Sequence, residues 1–186
     1  IVSEIGYMVG GAWLGNNAGM TGAILHIMND AVMTLCLFLC AGSIYYRIHG
    51  LDLDQLKGLF RKMPVTMACF VAGALSIIGV PPTCGFFSKW YLISGGLQAG
   101  QYGFVAALLF SSLVNVILFF RVIEISYYGD FESHHGHDSS PIAVKEAPIS
   151  MLASLLIVSL GLIVIGLYTG SIVNHIIDPL LLKQGF

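Results

Sequence analysis

Apolar residues run through this chain in long blocks that are interrupted only at a few polar or glycine-rich points. An α-helix needs about 20 apolar residues to cross a bilayer core of about 30 Å. Blocks at about 1–15, Met20 to Tyr46, Pro64 to Leu97, Gly103 to Tyr127 and Pro148 to Tyr168 predict five such crossings, the first being the tail of a longer helix. Period-two alternation is absent, which argues against a β-barrel. The third block is too long for a straight helix: 34 residues at about 1.5 Å each would make roughly 50 Å. Its middle reads Gly79-Val80-Pro81-Pro82-Thr83-Cys84-Gly85, and the two prolines remove the backbone donors that would serve the carbonyls of Ile77 and Ile78. The pattern therefore predicts an all-α polytopic membrane protein with about five transmembrane helices, one of them discontinuous and broken at Pro81-Pro82, with Gly79 and Gly85 flanking the break.

Composition agrees. Of 186 residues, 56% are hydrophobic and only 10% charged, whereas a soluble domain carries about 25% charged residues. The net charge of -2 offers no basic surface for nucleic acid. Cys36, Cys40, Cys69 and Cys84 fall inside apolar blocks and read as small buried hydrophobes rather than disulfides or metal ligands. The chain starts at Ile1 with no basic segment ahead of an apolar core, so no signal peptide is expected and the sequence is expected to be a fragment or a processed product.

Arg47, Lys57, Arg61, Lys62, Arg121 and Lys145 gather on one side of the five-span arrangement, while the opposite loops at Gly15–Gly19 and Ala99–Tyr102 have no Lys or Arg. The positive-inside rule makes the first side cytoplasmic. Lys183 then lies on the exterior, in a short tail spanning 171–186 that follows a transmembrane part of 1–170.

Lys89 is left inside the third block. A lysine at the bilayer centre costs about 2.5–3.5 kcal/mol on insertion scales, and broken helices at membrane depth mark ion sites in transporters. Lys89 is expected in the first turn of the second half-helix, where desolvation and the helix dipole oppose its charge and freed carbonyls favour it. The structural alternative is a lysine snorkelling to the interface. His26, Asp30 and Thr34 follow at four-residue steps on one face of the second block, and His26 with Asp30 reads as a hydrogen-bonded pair that shares protons; the alternative is polar glue between helices. Glu4 and Glu124 are secondary candidates, Glu124 being three residues from a possible partner in Arg121. Asn115 and Ser111–Ser112 read as packing polars. The His-rich segment Asp130–Ser140 offers a possible metal trap, although such a loop is more commonly solvated. No cofactor motif and no metal-ligand set is expected.

The strings HIMNDAVMTLCLFLCAG, DLDQLKGLFRKMPVT, GALSIIGVPPTCGFFSKWYLI and EAPISML resemble the antiporter-like subunits of respiratory complex I, together with the large subunits of Mrp-type sodium/proton antiporters and membrane-bound hydrogenases. The resemblance runs from Glu4 to about Leu167. It implies two inverted five-helix repeats, each with one discontinuous helix, and a row of lysines, histidines and carboxylates along the membrane centre. Lys89 matches the key lysine of the second discontinuous helix and His26 the first histidine of the helix before it. Many members continue that helix with a second histidine and a lysine, where this chain has Asp30 and Thr34. The glutamate and lysine of the first repeat would lie upstream of Ile1, on a missing N-terminal half or a separate chain. The short tail after Tyr168 differs from the complex I subunit that carries a long lateral helix.

The resemblance implies a proton-translocating, non-redox subunit of a redox-driven complex such as an NADH-quinone oxidoreductase or a related hydrogenase, with Lys89, His26 and Asp30 as its relay and other membrane subunits as partners. A bacterial or archaeal cytoplasmic membrane is the expected location, an organelle inner membrane the alternative. The rival functions are a stand-alone or Mrp-type Na⁺/H⁺ antiporter subunit and a non-transporting membrane scaffold.

Overall fold

The long apolar blocks become helices, and their order along the chain follows the sequence pattern closely. In the computed structural model, which describes residues 2–50, 52–128 and 145–184, helix α1 covers Val2–Trp13, α2 Asn17–Ile48, α3 Leu59–Lys62, α4 Pro64–Ile78, α5 Cys84–Gln98, α6 Tyr102–Tyr128 and α7 Ile149–Leu167. Every regular element among the described residues is helical. Helices α2, α6 and α7 are long and apolar enough to cross a membrane, and α4 is a shorter apolar helix. The predicted interruption of the third block is the gap between α4 and α5.

Helix ends fall where the local chemistry supplies partners for unpaired backbone groups. Asn16 caps α2 by accepting from the Gly19 N–H at 2.7 Å, and its amide donates to the Gly95 carbonyl at 2.8 Å, tying the start of α2 to the end of α5. At the other end of α2, His49 takes a left-handed conformation (φ 59°) and its N–H bonds the Tyr45 carbonyl. Pro64 opens α4 at a position where its missing N–H does no harm.

The remaining donors at the start of α4 are served from far away in sequence. Glu146, just before α7, accepts from the Val65 N–H at 2.6 Å and from the Thr66 hydroxyl at 2.9 Å, while Arg47 at the end of α2 donates to the Glu146 carbonyl. One residue therefore joins three helices at the Arg/Lys-rich end. Glu146→Ala removes both side-chain bonds and is expected to destabilise the protein by about 1.5–3 kcal/mol, the range for hydrogen bonds to a charged group. Thermal unfolding of the detergent-solubilised full-length protein measures this; an unchanged midpoint would show that water replaces the carboxylate.

The long α2 forms the axis of the bundle, with α1, α4, α5 and α7 packed around it. One core cluster holds Met33, Cys36, Cys40, Cys69, Ile77, Cys84, Leu155 and Leu162. All four cysteines are buried, as expected from their apolar surroundings, and are free thiols. Helices α2 and α5 approach closely where a Cβ on Gly95 would lie 2.4 Å from the Gly19 nitrogen; only glycine lets the two backbones meet at this point. Helix α6 covers one side and leaves Phe110, Ile117, Leu118 and Phe120 exposed, as in a lipid- or partner-facing surface.

The segment after Tyr168 was expected to be a short tail, and it is ordered. Helix α8 (Thr169–Ile172), a π-helical turn at Val173–Ile177 and α9 (Asp178–Gln184) continue from α7. Val173, Ile177 and Leu181 are buried with Leu25 of α2 in a separate apolar cluster. Their spacing of four residues gives one apolar stripe, which the sequence reading overlooked because the segment is too short to cross a membrane.

Candidate functional site

The break between α4 and α5 is built by glycine and proline acting in turn. Gly79 adopts φ +94°, which closes α4 with its own N–H and that of Val80 on the Leu75 carbonyl. Pro81 and Pro82 follow, joined by a cis peptide bond. The Thr83 hydroxyl donates to the Val80 carbonyl at 2.7 Å before α5 begins at Cys84. Across the gap, the Asn29 amide of α2 donates to the Cys84 carbonyl at 2.8 Å. The first half-helix thus ends with a carbonyl, that of Ile77, whose helical donor Pro81 cannot supply.

Lys89 takes that carbonyl. Its Nζ donates to Ile77 O at 2.5 Å and to the Ser112 hydroxyl of α6 at 3.2 Å, and lies 5.6 Å from the centre of the Tyr7 ring. The residue is 5% exposed, so the snorkelling alternative does not describe it in this chain. It is the sixth residue of α5, in the second turn rather than the first. The influence of the helix dipole falls off within the first turn, so the immediate partners of the ammonium are the Ile77 carbonyl, the Ser112 hydroxyl and the Tyr7 ring.

His26 is fully buried and held at both ring nitrogens, with Nδ1 2.9 Å from Ser88 Oγ and Nε2 2.8 Å from Glu4 Oε2. The second oxygen of Glu4 accepts from the Asn115 amide at 3.3 Å. Asp30 instead accepts from the Thr34 hydroxyl at 3.3 Å. The expected His26–Asp30 pair is therefore replaced by His26–Glu4. Four residues turn a helix by about 400°, which leaves Asp30 about 40° round from His26. That offset aims His26 at α1 and α5, and it places Asp30, half-buried, on a cavity between α2, α4 and α6.

The cavity has a volume of about 320 Å³ and is lined by Glu4, Asp30, Thr34, Asn115 and Ile77 together with apolar side chains such as Phe70. Polar side chains from three helices, α1, α2 and α6, face it, and Glu4 belongs both to this cavity and to the His26 contact. Glu4, placed second in the sequence reading, is thus central. Asn115 and Ser112, read as packing polars, bond Glu4 and Lys89 directly. Ser88 was missed altogether; its only sequence signal was its position next to Lys89. Glu124 pairs with Arg121 at 3.0 Å on the exposed surface, away from the site. The segment Asp130–Ser140 lies outside the described residues. Among the described residues, no three His, Cys, Asp or Glu side chains gather as a metal site would.

Residues 1–115 match the sequence profile of a family described as NADH:quinone oxidoreductase/Mrp antiporter, TM. The chain is 40% identical to NADH-quinone oxidoreductase subunit N of Desulforudis audaxviator (strain MP104C), over 95% of this chain and 36% of that protein. It is 30% identical to a protein of Staphylococcus aureus (strain JH9) named for antiporter subunit mnhD2, over 94% of this chain and 34% of that protein. The chain thus spans about a third of the length of these curated relatives. The fold is shared with a chain of the Mrp complex from Dietzia sp. DQ12-45-1b, with a TM-score of 0.80 at 23% identity, covering 92% of this chain and 39% of that one. It is shared also with a chain of respiratory complex I from Thermus thermophilus, with a TM-score of 0.79 at 22% identity, covering 92% and 34%.

Proposed function

The chain belongs to the transmembrane family of NADH:quinone oxidoreductases and Mrp antiporters, and from that premise we propose that it is the C-terminal part of a proton-translocating membrane subunit. The observation that carries the reading is the buried Lys89, whose ammonium is held by a carbonyl freed at a helix break, that of Ile77, a residue that itself lines a cavity bearing two carboxylates. Burial of a lysine among partners that suit both its charged and neutral forms makes it a proton carrier. Reversible protonation of Lys89 is the central step. Asp30 and Glu4 balance its charge from the cavity side, and Thr34 orients Asp30.

In this reading α4 and α5 form a single broken crossing, so that α1, α2, α4–α5, α6 and α7 make five. The Arg/Lys-rich end with Glu146 faces the cytoplasm of a bacterium or archaeon, and the segment after α7 lies on the exterior side. The other membrane subunits of a respiratory or Mrp-type complex are the partners, and the first repeat with its own charged groups completes the path. A redox-driven complex is favoured over an Mrp-type antiporter by the higher identity to subunit N than to subunit mnhD2.

Ion uptake by inverted vesicles that carry the intact complex, with electron transfer recorded in parallel, tests this. Asp30→Asn is expected to slow uptake by about 100-fold, at the low end of what one misplaced proton-transfer group costs. Normal uptake in that variant would remove Asp30 from the path.

A further inference from the structure

The two contacts of His26 are chemically unequal. Ser88 Oγ lies 2.9 Å from Nδ1 and 3.1 Å from the Gly85 carbonyl, and its one hydrogen serves one or the other. Nε2 faces Glu4 Oε2 at 2.8 Å with both groups buried. That contact requires a proton between them: an imidazolium or a neutral ring donating to a carboxylate, or a carboxyl group donating to a neutral ring. Without it, a nitrogen lone pair would face a buried carboxylate, two acceptors in contact.

The ways out of this pair also differ. Beyond Ser88 stands a peptide carbonyl, which does not take up a proton and pass it on. Beyond Glu4 stands its second oxygen, which meets Asn115 and, with Asp30 and Thr34, lines the cavity of about 320 Å³. A water occupies about 30 Å³ of liquid, so several fit there between polar partners.

We propose that Glu4 is the proton-carrying residue through which every proton that reaches or leaves His26 passes, which makes His26 a store opening onto the cavity rather than a link between Asp30 and Lys89. In the resting pair one proton is shared between Oε2 and Nε2. Loading places that proton on Nε2 and adds a second to Oε1 from a hydronium in the cavity, which leaves water. Unloading reverses both steps, with no bond to carbon changed and no electron transferred. The proposal rests on the proton-translocation reading above and adds a branch to it.

Glu4→Gln in the intact complex tests the branch, since a glutamine keeps the bonding pattern (its amide nitrogen donates to Nε2, its oxygen accepts from Asn115) but carries no proton. The variant is expected to assemble, to lose about 100-fold or more of ion uptake, and to lose one carboxyl band from the infrared difference spectrum recorded during turnover. Wild-type uptake in an assembled Glu4→Gln complex overturns the proposal. If that variant does not assemble, Glu4→Asp keeps a carboxyl at a shifted frequency, and a turnover spectrum in which no carboxyl band moves overturns it equally. Lys89→Met is measured alongside. Loss in Lys89→Met with normal Glu4→Gln removes this branch alone, and the converse removes the Lys89 reading and keeps Glu4.

Discussion

Lys89→Met is expected to reduce ion uptake by the parent complex by about 100-fold or more, in the range over which positioned proton-transfer groups act, with the complex still assembled. Methionine matches the length of the lysine stem and removes only the charge. The Ile77 carbonyl loses its donor, which costs about 1–3 kcal/mol. Removal of a charge from membrane depth offsets this by about 2.5–3.5 kcal/mol, so stability is expected to hold or rise. Lys89→Arg separates charge from proton transfer, because a guanidinium keeps the positive charge and does not deprotonate in a protein. If Lys89 carries protons, both variants lose uptake. If its charge only holds the helix break together, Lys89→Arg retains uptake and Lys89→Met lowers the stability of the complex. Inverted vesicles with electron transfer recorded in parallel distinguish these results, and normal pumping in both variants would make the segment a scaffold.

Gly85→Ala is expected to have the largest structural effect of any glycine-to-alanine change among the described residues. A Cβ at this position would lie 1.9 Å from the Ser76 carbonyl oxygen and 3.0 Å from Met33 Sδ. The carbonyl belongs to helix backbone and cannot rotate away, so α4 and α5 must separate. That movement carries the Ile77 carbonyl, one residue along, away from Lys89. Overpacking of this kind costs about 1–3 kcal/mol and occasionally more, and here it also opens the break. Loss of both thermal stability and uptake is therefore expected in the full-length protein. Gly161→Ala in α7 is the matched comparison: nothing lies within 4 Å of its Cβ, and the change is expected to be neutral or stabilising by about 0.5–1 kcal/mol. Equal behaviour of the two variants would show that the α4–α5 contact relaxes at little cost.

Much of this was legible along the chain. Helix positions followed from the lengths of the apolar blocks, because a backbone in lipid satisfies its polar groups only within helices or closed barrels. The break at Gly79–Gly85 followed from two missing donors, and even the carbonyl left free at Ile77 was identifiable. Lys89 stood out because a charge at that depth needs a reason. The apolar stripe Val173, Ile177, Leu181 was also present but passed unread, since its partner Leu25 is about 150 residues away.

The pairing of polar side chains was not legible. His26 and Asp30 share a helix face by spacing, yet the partner of His26 comes from α1 and that of Asp30 from its own helix. Spacing states which residues point in similar directions; it does not state which neighbouring helix stands opposite. The sequence by itself determined an all-helical membrane chain, the position of its broken helix and the placing of Lys89 beside that break, because those depend on local backbone chemistry and the cost of charge in lipid. Only the tertiary structure decided that Glu4, Ser88, Ser112 and Asn115 complete the site and that the start of α4 is capped by Glu146. Such contacts depend on how α1, α6 and α7 are rotated against α2, and that rotation is set by close packing, as at Gly19–Gly95, rather than by anything within one helix.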